Sequence, residues 1–146
     1  MFDTSSRINR RFLIKYLKNI DAPPETIDII IMTHNHFDHV GNLSLFKGMK
    51  AKVYAPKEDF PEEEWMIDIK KLKIKEFKLI ETPGHTKGSV CIYMPKEKIL
   101  FSGDTLFHGG IGRTDLPGSI PEKMKESLEK LNDLDIEILC PGHTWP

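Results

Sequence analysis

Apolar residues recur along this chain at two spacings. Ile8, Phe12, Leu13, Tyr16, Leu17 and Ile20 fall at helical intervals, which predicts an amphipathic helix over residues 7–19, ended by Pro23-Pro24. Elsewhere the apolar positions are contiguous or alternate, and they predict strands at 27–33, 52–55, 72–82, 88–94, 98–102 and 136–140. Val40, Leu43, Leu45 and Phe46 predict a helix that ends near Gly48. Ser119-Ile120-Pro121-Glu122 has the spacing of a capping box and predicts another helix, running to about Leu131. Polar stretches separate these elements. The acidic segment 57–64 reads as a solvated loop, and Pro95-Lys96-Glu97 reads as a turn. Residues 104–118, with Gly109, Gly110, Gly112 and Gly118, read as a functional loop. Strands alternating with helices predict one α/β domain over 1–146, without internal repeat or linker.

The chemistry sits where the apolar runs stop. Run 27–33 leads into His34-Asn35-His36-Phe37-Asp38-His39, 77–82 into His85, 98–102 into Asp104 and 136–140 into His143. Side chains just past the C-terminal ends of neighbouring strands can converge on one rim of a sheet. Imidazole and carboxylate are the donors that borderline divalent metals prefer. His34 and His36, two apart on an extended segment, point the same way. With His85 they give one ion three protein ligands and an open position, which is the arrangement of a catalytic site. Asp38 and His39 open the next helix and, with His143, could hold a second ion; Asp104 could bridge the pair. Asp38 and Asp104 are therefore the candidate catalytic carboxylates. Two such ions roughly 3.5–4 Å apart would share a water and lower its pKa towards ~7, which makes hydrolysis the natural output. Pro-Gly-His-Thr occurs at both 83–86 and 141–144, which suggests one kind of turn presenting the same ligand twice. His108, in the glycine loop, matches none of these positions and reads as solvent-exposed or beside the site.

Composition narrows the setting. The 146 residues carry a net charge of −1, with lysines interspersed among acids, so no basic block offers a nucleic-acid or membrane surface. No apolar run approaches the ~18 residues that span a bilayer, and no signal-peptide stretch is present. Cys91 and Cys140 lie in apolar runs and read as buried free thiols, which makes the cytoplasm the expected compartment. Absence of glutamine, with abundant lysine, glutamate and isoleucine, is the bias of a thermophile protein.

These residues resemble the metallo-β-lactamase superfamily, whose His-x-His-x-Asp-His signature is met by 34–39. The resemblance covers nearly the whole chain. It implies a four-layer αβ/βα sandwich, with His34, His36 and His85 as one site, Asp38, His39 and His143 as the other, and Asp104 between them. True β-lactamases typically lack that bridging Asp and use a cysteine in the second site, and flavodiiron proteins place Glu at the position of His36. Thr82-Pro83-Gly84-His85-Thr86, Phe101-Ser102-Gly103-Asp104-Thr105-Leu106-Phe107 and Gly112-Arg113-Thr114-Asp115 look most like the glyoxalase II group, the hydroxyacylglutathione hydrolases. That likeness implies a dinuclear thioesterase using a metal-bridging hydroxide. Zinc is the first expectation, with iron or manganese compatible. The substrate is a small thioester, and Arg113 and Asp115 brace the substrate loop by an ion pair. The start at Phe2-Asp3-Thr4 implies a missing N-terminal hairpin and an open sheet edge, for which a homodimer is the expected cover. The glutathione-binding C-terminal helices of typical members have no counterpart here. Alternatives are a persulfide dioxygenase with His34, His85 and Asp104 around a single iron, a lactonase, or a truncated metal-binding domain without activity.

Overall fold

The Ile29-Ile30-Ile31 run becomes a strand with both faces covered, which is why it reads as a continuous apolar stretch. The computed structural model describes residues 1–144. Strands β1 (Ile29–Ile31), β2 (Lys52–Ala55) and β3 (Ile67–Asp68) form a parallel sheet in that order. A second sheet has the order β4 (Lys78–Glu81), β5 (Val90–Met94), β6 (Ile99–Gly103), β9 (Ile138–Pro141). Its first three strands are antiparallel neighbours, and β9 returns parallel to β6. Between β6 and β9 a small hairpin, β7 (Leu106–Phe107) and β8 (Gly110–Ile111), folds over the rim.

Period-two alternation sorts the side chains into layers. Ile31 of β1 joins Val90 and Ile92 of β5 and Ile69 in the cluster between the sheets. Ile30, Val53 and Ala55 face outward, where Leu43, Phe46, Phe60 and Met66 cover them. On the far side Cys91, Tyr93 and Leu100 meet Leu131 of α3 (Pro121–Asn132). Helical segments, two sheets and α3 thus make the expected four-layer αβ/βα sandwich.

Several boundaries differ from the pattern-based expectation. The helix after the ligand cluster stops after one turn, α2 (Phe37–Val40), followed by a 3₁₀ turn at Leu43–Leu45. Gly41 lies so close to the Arg7 amide that a Cβ would overlap it. The Asn42 side chain donates to the carbonyls of Thr4 (2.8 Å) and Ser6 (2.9 Å), fixing a crossing chain where a longer helix would run. The 72–82 strand is confined to β4, because a turn closed by Phe77 N donating to Ile74 O at 3.0 Å interrupts the run before Lys78. The capping box is not formed: Ile120 is the N-cap, and Ser119 Oγ donates instead to the His85 carbonyl at 2.8 Å.

Helix α1 (Arg10–Asn19) forms as predicted, with Leu17 buried, yet Ile8, Phe12, Tyr16 and Ile20 stay exposed along one stripe. Cys91 is fully buried and Cys140 partly so; both are free. No helix among the described residues is long and apolar enough to cross a membrane. The first residues run alongside β1, with Asp3 N donating to Ile31 O at 2.9 Å and Phe2 stacked on Phe101. That pairing carries Asp3 to the rim.

Candidate metal centre

Each strand end delivers one part of the centre. The chain leaves β1 through Thr33 to His34 and His36, leaves β4 to His85, and leaves β6 at Asp104. Register places Gly103 of β6 beside Pro141 of β9, so Asp104 and His143 emerge as neighbours. The single turn of α2 aims Asp38 and His39 back at them. All seven predicted donors are brought together. Donor atoms of His34, His36 and His85 lie within 4.8 Å of one another, as do those of Asp38, His39 and His143. Asp104 stands between the two triads: its Oδ1 is 3.2 Å from His39 Nε2, and its Oδ2 is 3.4 Å from both His85 Nε2 and His143 Nε2.

These separations suit metal ligands. With bonds of 2.0–2.1 Å, donors of a tetrahedral zinc site lie roughly 3.3 Å apart. His39 Nε2 to His143 Nε2 is 3.3 Å, and His143 Nε2 to Asp38 Oδ2 is 3.1 Å. Two buried atoms add a sharper observation. His34 Nε2 has no hydrogen-bond partner and Asp104 Oδ1 has none beyond its 3.2 Å ion-pair approach to His39 Nε2, although an unsatisfied buried polar group is costly. Both point into the shared space, where a cation would satisfy them. Gly142 keeps that space open, since a Cβ there would overlap Asp104 Oδ1 and crowd His39. The donor set therefore fits two divalent ions.

The repeated Pro-Gly-His-Thr is not one turn used twice. Gly84 donates to Thr86 O within its own turn and packs against Met124 of α3, whereas Gly142 donates across to Gly103 O on β6. The same tetrapeptide answers two different close approaches.

Around the ligands lies a ring of partners that the sequence did not mark. Asp3 Oδ2 accepts from His39 Nδ1 at 2.8 Å and from Thr33 Oγ1 at 2.7 Å. Thr33 Oγ1 in turn sits 3.0 Å from His34 Nδ1. His85 Nδ1 donates to the Arg113 carbonyl at 2.7 Å. In each case one ring nitrogen is occupied outward, which leaves Nε2 facing the centre and fixes tautomer and orientation. Asp59, in the segment expected to be a solvated loop, is a clasp instead. Its carboxylate accepts from Asn35 N (3.1 Å), Thr86 Oγ1 (2.7 Å) and Gly88 N (2.6 Å), tying the His34–His36 segment to the His85 turn. Asp59 is one of five acids in its segment, and neither spacing nor period links 59 to 86, so nothing in the sequence singled it out.

The electrostatics of the two triads differ. Burial first, and neighbouring imidazoles second, push His34 far below the ordinary histidine range and lower His36. Burial also opposes charge on His39, but the Asp104 and Asp3 carboxylates overcome it and raise His39 to about 10. Asp104 is buried, which favours its neutral form; His39, with His143 and His85 behind it, nonetheless holds it below the usual carboxylate range.

The remaining predicted residues lie off the centre. Arg113 Nε and Nη2 bond both Asp115 oxygens at 2.9 Å, the expected loop brace, and both side chains are exposed. His108 is exposed at the tip of the β7–β8 hairpin and touches no ligand. Beside the metal ligands opens a cavity of about 640 Å³ bounded by the β7–β8 hairpin and the 111–117 segment.

Paired His/Asp triads on one rim of an αβ/βα sandwich define a class of metal-binding proteins. The profile of the metallo-beta-lactamase superfamily matches residues 1–55 and 48–143, and the chain belongs to that superfamily. It is 33% identical over 142 residues to the probable metallo-hydrolase MJ0296 of Methanocaldococcus jannaschii, covering 97% of this chain and 68% of that protein. It is 38% identical over 136 residues to the hydroxyacylglutathione hydrolase of Salmonella typhi, covering 88% of this chain and 53% of that one. The chain thus spans about half the length of that hydrolase. The structure of TTHA1623 in a di-iron-bound form superposes with a TM-score of 0.78 at 28% identity, covering 99% of this chain and 81% of that chain. The B3 metallo-beta-lactamase BLEG-1 superposes with a TM-score of 0.77 at 29% identity, covering 99% and 80%.

Proposed function

We propose that this chain is a metal-dependent hydrolase that cleaves thioesters. The observation that carries the reading is Asp104, ionised and buried, with its two oxygens reaching imidazoles of both triads. His34, His36 and His85 would hold one divalent ion, Asp38, His39 and His143 the other, with Asp104 shared. Bound there, the ions supply a water of lowered pKa and an electrophilic rest for a carbonyl oxygen. The protein does the positioning. Asp3, Thr33 and the Arg113 carbonyl lock three imidazoles with Nε2 inward, and Asp59 fixes the spacing of the His36 and His85 segments. Asp38, half-buried and at the edge of the adjacent cavity, is the carboxylate placed to accept the proton of the attacking water. Water adds to the thioester carbon, the C–S bond breaks, and a carboxylic acid and a thiol leave. Likeness to hydroxyacylglutathione hydrolases supports the thioester over the β-lactam ring.

The test is metal content by mass spectrometry on protein grown without added zinc, followed by a screen of thioesters, lactones and a chromogenic β-lactam. Two metals per chain with thioester cleavage supports the reading. A single iron with oxygen uptake on a persulfide, or cleavage confined to the β-lactam, replaces it.

A further inference from the structure

The walls of the cavity beside the metal ligands do not match their polarity. His36, His85, Asp104 and His143 form one side, while Phe107, Ile111, Leu116 and Pro117 form the other, with Phe37 at the rim. Phe37 is 78% exposed and Ile111 43% exposed. Apolar side chains left open around a reactive centre mark a surface that a ligand covers. Charge points the same way. Arg113 is the one lysine or arginine lining this cavity among the described residues, and its guanidinium is ion-paired with Asp115 through Nε and Nη2. A glutathione moiety carries carboxylates at both ends, and among the described residues this groove offers them one guanidinium, already paired with Asp115.

From this wall we infer that the substrate is an uncharged thioester with an apolar acyl chain, lying against Phe107, Ile111 and Leu116, and that glutathione is not its thiol half. The inference rests on the hydrolase reading above and names its substrate class. The hairpin and the 111–117 segment are thereby a specificity wall. The backbone of the same segment also holds His85, through the Arg113 carbonyl, so acyl binding and ligand orientation share one piece of chain.

The experiment uses acyl thioesters of N-acetylcysteamine, an uncharged thiol, from acetyl to octanoyl, with S-lactoylglutathione in parallel on the metal-loaded protein. Full burial of a methylene is worth roughly fourfold in affinity, so kcat/KM is expected to rise by at least about tenfold from acetyl to hexanoyl. Ile111→Asp, at a partly exposed position, is expected to flatten that rise. A second readout does not depend on turnover: calorimetric binding of S-hexyl-N-acetylcysteamine, a non-hydrolysable thioether, with the negative heat-capacity change of apolar burial. A flat chain-length profile, or faster cleavage of S-lactoylglutathione, overturns the inference. Thioether binding without cleavage of any thioester leaves the apolar groove standing and overturns the hydrolase reading instead. No thioether binding, with short thioesters cleaved, does the reverse.

Discussion

The two candidate metal triads, three imidazoles in one and a carboxylate with two imidazoles in the other, are prepared in opposite ways. In the first, His34 and His36 are kept neutral by burial and by their imidazole neighbours, so each presents a lone pair without further change. His34 and His85 are buried. In the second, His39 is held as a cation between Asp3 and Asp104, and the His143 side chain is 47% exposed. One triad is ready to ligate; the other must lose a proton and order an exposed side chain before it can. A metal ion and a proton compete for the second site, and the competition is set by two carboxylates. The expectation is unequal affinity, with the first triad filling before the second.

Removing what the triads share has the largest effect. Partners that merely orient metal ligands are worth 10–100-fold in affinity or activity. Asp104 is itself a donor to both sides, so Asp104→Ala is expected to cost more than about 100-fold in kcat/KM and to lower the metal content below two per chain. Mass spectrometry of the purified variant checks it; two retained metals would show that Asp104 does not link the triads. Asp3→Asn comes next. Asp3 Oδ2 accepts from both Thr33 Oγ1 and His39 Nδ1 while Oδ1 accepts from Thr33 N; an uncharged amide has one accepting oxygen, and its NH2 cannot accept at the other position, so the second-site affinity is expected to fall about 10–100-fold. Competition with a chromophoric chelator separates the two binding steps. If both sites weaken equally, the Thr33 link to His34 matters as much as the direct contact.

The same contrast shows how far the sequence could be read. The seven candidate donors were legible because His34, His85, Asp104 and His143 each follow an apolar run and His36, Asp38 and His39 lie within five residues of His34, and strand ends on one sheet rim must lie near each other. The layers were legible too, since Ile30 and Ile31 alternate between two covered faces. The orienting partners were not. Asp3 and His39 are 36 positions apart and Asp59 and Thr86 are 27, and each pair meets through register between segments that no local pattern encodes. Ser119 failed for a related reason. Its spacing to Glu122 is right for a capping box, but the His85 carbonyl, brought close by tertiary packing, takes the hydroxyl. The helix expected up to Gly48 was cut short by Asn42 binding the residues 4–6 crossing, again a contact distant in sequence.

Asp59 probes the first triad alone. Its carboxylate acts through Asn35 N and Thr86 Oγ1, not on a ligand ring, so Asp59→Asn should weaken first-site binding by about tenfold and leave the second within error. Gly88→Ala makes an independent version of the same cut, because a Cβ at 88 would sit 2.7 Å from the Asp59 carboxylate carbon. Loss of metal from both triads in these variants would mean that the clasp supports the fold at large, and melting of the metal-free variants would show it.

Proton release on metal binding tests the contrast most directly. His39 is raised from 6.5 to about 10 in the folded chain, so at pH 8 it is almost wholly protonated without metal. A raised pKa contributes stability that is complete below about 6.5 and is lost as pH climbs through about 10. The metal-free protein should therefore become less stable across that window, while second-site affinity, freed from proton competition, should rise about tenfold per pH unit. His34 and His36 are shifted the other way and release no proton above pH 6.5. Titrating metal at pH 8 in buffers of different ionisation heat should accordingly show no proton from these two rings in the first step and close to one proton from His39 in the second, in addition to any given up by the bound water. In Asp3→Asn that released proton should diminish, because one of the two carboxylates holding it is gone. Equal proton release in the two steps would mean that the triads are prepared alike.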